Sequence, residues 1–299
     1  MLRLSIAAHD AGGANVLKST LKCISHILDQ HFLGGPSVPI FSNLTSNPSL
    51  ITDPSEIAKH LATTDLLLTS TSDPPAIEIN AIKAARLLNI PSISILDHWA
   101  NYKDRFIDED TLTLPDVLWV TDPFSFNLAT KEFPDAIIYQ IPNFYILEVS
   151  QQILKTSPLT NERDFASILF LSEPMHKDNG FTEFDAFDFL LQNIHLVSHT
   201  DFHVTLRPHP SDVDGKYDQL IHKYASKVSL SSQDLYQDIA SADIVCGCHS
   251  MALYVAFTCG KTCYSVIPDP LIKCKLPYPG IIQLSSLPNV SLSPFANHD

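Results

Sequence analysis

At 299 residues the chain is about twice the common domain size, which favours two domains over one. Apolar residues make up 45 % and charged ones 17 %, enough for sizeable cores and too little charge for a disordered chain. With 19 Lys plus Arg against 33 Asp plus Glu the formal charge is −14, a field that repels phosphate backbones and anionic lipid. No nucleic acid is therefore expected as a partner, and an anionic small molecule has to be met by local cations and helix N-termini.

The chain opens with "MLRLSIAAHDAGG", whose apolar stretch is too short for a signal-peptide core or a membrane span, so it reads as a first strand, residues 2–8, of a cytoplasmic protein without a transmembrane segment. Short apolar runs follow at 37–43 (SVPIFSN), 65–71 (DLLLTST), 91–97 (PSISILD), 116–122 (DVLWVTD) and 137–142 (IIYQIP). Helical patterns lie between most of them, such as 14–30 (ANVLKSTLKCISHILDQ) and 74–89 (PPAIEINAIKAARLLN). Apolar runs without polar alternation suit strands covered on both faces, and their alternation with helices predicts a doubly wound parallel sheet. After the polar stretch 154–164 the plan repeats, with runs at 166–172, 201–208, 227–232, 243–248 and 262–268. The expected fold class is thus α/β, two Rossmann-like doubly wound domains facing a cleft: residues 1–150, a linker 151–159, and residues 160–299.

Functional groups are expected at the carboxyl ends of the strands. The first strand runs into "HDAGGAN", where Gly12 and Gly13 are two of only nine glycines, placed for a ligand to approach helix-start N–H groups. Asp10 is either the cap of that helix or, with His9, an acid–base pair. In "TLRPHPSD" two prolines hold His209 at a strand end beside Arg207 and Pro210. In "DIVCGCHSMALY" a strand gives way to a helix at His249, Ser250 and Met251, where Ser250 is a natural cap and the helix start an anion site. Glu173 and His176 follow the first strand of the second half as weaker candidates. The six cysteines show no C-x-x-C spacing, so reduced thiols are expected rather than a metal site.

This order of motifs resembles the GT-B glycosyltransferases that use CMP-activated nonulosonic sugars, the bacterial sialyltransferases, polysialyltransferases and Kdo transferases of capsule synthesis. His209-Pro210 matches their HP motif, Ser250 stands where their Ser motif falls, and Asp10 matches the acidic base of their glycine loop; "HDAGG" departs from their paired acidic pattern. The resemblance implies transfer of a sugar from a CMP-sugar donor, held by the second domain, to a glycan acceptor, held by the first, in surface polysaccharide synthesis. An inverting, metal-independent reaction without cofactor is expected, because a monophosphate leaving group needs little neutralisation and no D-x-D motif ends a strand.

The stretch "SILDHWANYKDRF" (94–106) completes the expected site. Trp99 and Tyr102 are expected to stack on sugar faces and Lys103 or Arg105 to pair with a sugar carboxylate, next to Asp97 and His98. The alternative is a surface loop pinned by Trp99 in the core, with Asp104 and Arg105 as solvent ions. Two other functions remain open on the same fold: a nucleotide-sugar hydrolase or epimerase using His9, and a sugar-binding protein without turnover.

Overall fold

The computed structural model describes residues 1–44, 52–156, 164–175 and 180–292. The chain divides into two units, Met1–Glu148 and Val149–Asp299. Unit 1 is built from β1 (Leu2–Ala8), α1 (Ala11–Leu21), β2 (His26–Leu33), α2 (Ser37–Ile40), α3 (Pro54–His60), β3 (Leu66–Thr69), α4 (Ile77–Leu87) and β4 (Ser92–Leu96). A small antiparallel pair, β5 (Ile107–Asp108) and β6 (Thr111–Leu112), precedes β7 (Val117–Val120), α5 (Pro123–Glu132) and β8 (Ile137–Gln140). The six-stranded sheet runs β2-β1-β3-β4-β7-β8, every pairing parallel. Leu4, Ile6, Ala8 and Ile95 face α1 on one side, while Ala7, Leu96, Leu118 and Val120 pack with α3, α4 and α5 on the other. Both faces are covered, which is why these strands read as unbroken apolar runs.

Two expectations for unit 1 are corrected. Residues 37–43 are not a strand: Pro39 lacks the N–H a ladder needs, and Ser37–Ile40 form the short α2. The second strand is instead β2, whose residues the helical reading of 14–30 had absorbed; α1 stops at Leu21, and the N–H groups of Cys23 and Ile24 close a turn on Thr20 and Leu21.

Helix α6 (Phe144–Thr156) crosses the division between the units, so residues 151–156 of the expected linker are helical, and 157–159 fall outside the described residues. Unit 2 continues with β9 (Phe165–Leu171), α7 (Glu183–Gln192), α8 (Ile194–Val197), β10 (Asp201–Arg207), α9 (Asp218–Lys223), β11 (Val228–Leu230), α10 (Leu235–Ser241), β12 (Ile244–Gly247), α11 (Met251–Thr258), β13 (Thr262–Ser265) and β14 (Ile281–Gln283). Its parallel sheet runs β11-β10-β9-β12-β13-β14, and β14 is a strand the sequence did not announce. Among the described residues no helix is long and apolar enough to cross a membrane. The cysteines are free thiols, with Cys246, Cys248 and Cys263 buried.

Candidate functional site

In an open parallel sheet the strand order reverses at one point, and the loops there diverge to leave room for a ligand. In unit 1 that point lies between β1 and β3. His9 and Asp10 leave the end of β1. Asp10 holds the N-cap position of α1 in extended backbone, yet its side chain makes no capping bond. Instead Oδ1 lies 2.8 Å from Nδ1 of His9, and Oδ2 accepts the backbone N–H of Asp73 at 3.2 Å. In the tautomer that donates from Nδ1 to this carboxylate, Nε2 of the neutral ring keeps its lone pair. Side-chain exposures of 36 % and 39 % leave both groups within reach of a substrate.

The imidazole lies against a two-glycine turn. A β-carbon at Gly35 would fall 2.6 Å from Nε2, and Gly35 has φ of +47°, so a larger residue would be strained and would displace the ring. His9, Leu33, Gly34, Gly35, Pro75 and Ile77 line part of a cavity of about 430 Å³.

Behind the pair sits Glu78, at the start of α4, which the sequence reading missed. It is only 3 % exposed and accepts the backbone N–H of His9 at 2.9 Å and the hydroxyls of Ser70 and Ser72 at 3.0 Å each. One carboxylate thus ties the loop after β1 to the loop after β3. Ser70 and Ser72, in the stretch 68–75 (LTSTSDPP) that ends the third strand in hydroxyls, were the available signal, since hydroxyls beside a buried helix start need an acceptor. Burial pushes the Glu78 carboxyl above the usual glutamate value, against the opposing pull of these hydrogen bonds. The folded protein therefore keeps this proton to higher pH than the unfolded chain, and the resulting stabilisation is full below the unfolded pKa and lost as pH rises through the folded one. Glu78→Gln should flatten the decline of melting temperature from mildly acidic to alkaline pH. Parallel curves for the variant and the wild type would remove Glu78 from that account.

Asp97, at the end of β4, is buried, with Oδ2 against α1: a β-carbon at Gly12 would lie 2.7 Å from it. One at Gly13 would lie 2.7 Å from Cβ of Ser70. These two glycines, expected to admit a ligand, are required first by close packing within the unit itself. Burial pushes Asp97 up, with the Arg105 guanidinium pulling it down from 3.8 Å.

Most of the residues expected to form a carbohydrate wall are turned into the fold. Trp99 is buried and donates from Nε1 to Oδ2 of Asp122 at 2.8 Å, and Tyr102 is 3 % exposed, so neither offers a face to a sugar. Arg105 donates to the Ala100 carbonyl at 3.1 Å and the Thr71 hydroxyl at 3.3 Å, which commits it to the fold. Lys103 is exposed and 3.8 Å from Glu132, and His98, half-buried, packs beside Trp99. Trp99 is buried as the alternative had it, but Arg105, which that reading left to solvent, is only 10 % exposed.

In unit 2 the strand order reverses between β9 and β12. Glu173 follows β9, and His249, Ser250 and Met251 follow β12. Oε2 of Glu173 accepts the backbone N–H of His249 at 3.1 Å, and the ring Nε2 lies 3.6 Å from Oε1. Nδ1 of His249 is buried with no hydrogen-bond partner among the described residues. Burial pushes this imidazole below its usual value, with Glu173 pulling it back up. The Ser250 hydroxyl accepts the N–H of Leu253 at 3.3 Å, so it caps α11, which Met251 opens.

His209 is exposed on the turn after β10, between Pro208 and Pro210. Its Nδ1 accepts the backbone N–H of Ser211 at 3.2 Å, which places the proton of the neutral ring on Nε2, and its own N–H donates to Asp212 at 2.8 Å. Asp212 is anchored in turn by Lys216 and by the Tyr217 hydroxyl at 2.9 Å. Arg207, expected to offset a phosphate, donates to buried Asp238 at 2.7 Å and to the Gln233 carbonyl at 2.8 Å, so its charge is already balanced. His176 lies outside the described residues.

No protein-family model matches the sequence, and no curated protein matches it. Solved structures do. A UDP-GlcNAc 2-epimerase from Neisseria meningitidis bound to UDP-GlcNAc superposes with a TM-score of 0.58 at 13 % identity, over 88 % of this chain and 82 % of that one. The UDP-GlcNAc 2-epimerase from Methanocaldococcus jannaschii gives 0.56 at 12 % identity, over 88 % and 83 %. A glycosyltransferase from Rickettsia africae gives 0.53 at 11 %, over 88 % and 79 %. At these identities the likeness is one of fold, and the chain has the GT-B-like architecture of two parallel-sheet α/β domains.

Proposed function

We propose that the protein is an enzyme acting on a nucleotide sugar, transferring the sugar to a glycan hydroxyl. The observation that carries this reading is the His9–Asp10 hydrogen bond at the reversal point of the first sheet, where Asp10 leaves its capping role to orient an imidazole. In the proposed step Nε2 of His9 takes the proton of the attacking hydroxyl while the new bond forms at the anomeric carbon and the bond to phosphate breaks, with inversion. Asp10 stabilises the imidazolium that results. This reverses the assignment expected from sequence, in which Asp10 itself was the base: both of its oxygens are already engaged. Within unit 2 alone, the start of α11 beside His249 is the candidate site for the donor phosphate.

A specific observation also favours a second reading, epimerase or hydrolase. An imidazole base oriented by a carboxylate serves water activation or removal of a sugar proton equally well, and two of the similar structures are named UDP-GlcNAc 2-epimerases. The narrower expectation of a CMP-nonulosonic donor draws no support from these neighbours, and Ser250, on which it leaned, is in use as a cap.

Binding is tested by thermal shift against UDP, CMP, CDP, GDP and their sugars. A ligand of the folded state at about 100 times its Kd adds about 2.7 kcal/mol of stability. The preferred nucleotide should raise the melting temperature of the wild type, and His249→Ala should shrink that rise. No shift with any nucleotide would defeat the proposal.

A further inference from the structure

A second cavity of about 430 Å³ lies in unit 2, along the face of its sheet rather than at the strand ends described above. Alternate residues of β9, β10 and β11, among them Ile168, Phe170, Val204, Leu206 and Val228, are buried in the core on one face. Residues between them, Ser167, His203, Thr205 and Ser229, line the cavity on the other, and α10 adds Asp238 and Ser241 as a wall. A parallel sheet covered on both faces is mostly apolar on both, as unit 1 is apart from the internally paired hydroxyls of Ser5, Thr69 and Ser94. This floor sets the hydroxyls of Ser167, Thr205 and Ser229 and the His203 ring around Leu169, a mixed polar and apolar surface.

Its charges are balanced internally. Asp238 is held by Arg207 at 2.7 Å and by the Ser231 hydroxyl at 2.6 Å, and Nε2 of His203 lies 2.8 Å from the Ser229 hydroxyl. Phe165 stands at the edge, 40 % exposed, with its ring 6.3 Å from that of His203. Among the described residues a phosphate or an acidic sugar would find no unpaired cation here, and a wholly apolar ligand would strip water from hydroxyls without replacing its hydrogen bonds. A neutral sugar supplies donors and acceptors to the hydroxyls and a C–H face to Phe165, and the volume falls within the usual range of about 300–1,000 Å³ for small-molecule pockets.

We propose that this groove binds a neutral carbohydrate, one or two sugar units long, at a site separate from the one assigned to the nucleotide sugar. Its test is independent of turnover. In the full chain labelled at histidine, with the His203 ring signal assigned from His203→Gln, cellobiose at about 10 mM should shift that signal, as befits millimolar affinity. Glucuronate and UDP at the same concentration should leave it in place. Ser167→Leu, which fills the groove, should abolish the shift, and Ser229→Ala, which removes one hydroxyl with little change of volume, should weaken cellobiose binding roughly fivefold. If Ser167→Leu fails to fold, Ser229→Ala alone decides. No shift with cellobiose would mean a merely hydrated groove and overturn the proposal. Equal or stronger binding of glucuronate, or cellobiose binding unchanged in Ser229→Ala, would overturn it too.

Discussion

Replacing His9 with Ala should lower turnover of the nucleotide sugar by about 10²- to 10⁴-fold, the range expected when a positioned proton acceptor is removed. The nucleotide-induced rise in melting temperature should survive, because the donor is assigned to unit 2. Asp10→Asn should also cost about 10²-fold or more, since an amide does not stabilise an imidazolium and would set one of its two polar ends wrongly against His9 or the Asp73 N–H. Its melting temperature should change little, as the Asp10 side chain makes no capping bond to lose. If Asp10 were the base, His9→Ala would retain substantial activity while Asp10→Asn lost it. Full activity in both variants would move the chemistry away from this loop. Steady-state kinetics on the two variants, with and without an acceptor glycan, separates these outcomes and also separates transfer from epimerisation or hydrolysis.

The largest expected loss of stability comes from Arg105→Met. The Arg105 side chain is 10 % exposed and faces the buried carboxylate of Asp97, and breaking such a pair by removing one partner typically costs about 3–5 kcal/mol. The sign of its pH dependence follows from Asp97. Burial already pushes this carboxyl up, and Arg105 is the charge that pulls it down. Without the guanidinium the folded pKa rises further. The folded state then binds a proton that the unfolded chain has released, so stability falls as pH rises from the ordinary aspartate range through the folded value. Urea denaturation should show a modest loss near pH 4 and a larger one near pH 7. Adding Asp97→Asn to the variant should recover part of the loss at neutral pH. An equal loss at both pH values would show that Arg105 acts through packing alone.

The sheets were legible because most of their strands are apolar runs between helical patterns, as in "LRLSIAA" and "DLLLTST" of unit 1 and "DIVCGC" of unit 2, although "PSISILD" and "DFHVTLRP" alternate with polar residues. β2 was not. As an edge strand, half-buried and carrying His26, Asp29, Gln30 and His31, it follows α1 with only a short turn and reads as more helix. Residues 37–43 misled in the opposite direction, an apolar run whose Pro39 forbids an inner strand. β14 is three residues after a proline-rich approach, too short for any periodicity. For the site, the ends of strands could be found but not the partners waiting there. Trp99 and Tyr102 are amphipathic side chains that suit a sugar or a core, and what decides between them is Asp122, a residue on a different strand end. Arg207 and Arg105 likewise looked available because their carboxylates, Asp238 and Asp97, are brought to them only by the fold. Glu78 sat inside a helical pattern where a glutamate is normally solvent-facing.

Turnover of a nucleotide sugar with the His9 imidazole as proton acceptor can be followed by proton and phosphorus NMR of UDP-GlcNAc and CMP-, GDP- and CDP-linked sugars, with wild type and His9→Ala side by side. At least one donor should disappear in the presence of wild type, with free nucleotide or an epimerised sugar appearing in step, and the conversion should all but stop with folded His9→Ala. Every donor remaining intact with folded wild type, with acceptor glycan present, or conversion at an undiminished rate by His9→Ala, would contradict it.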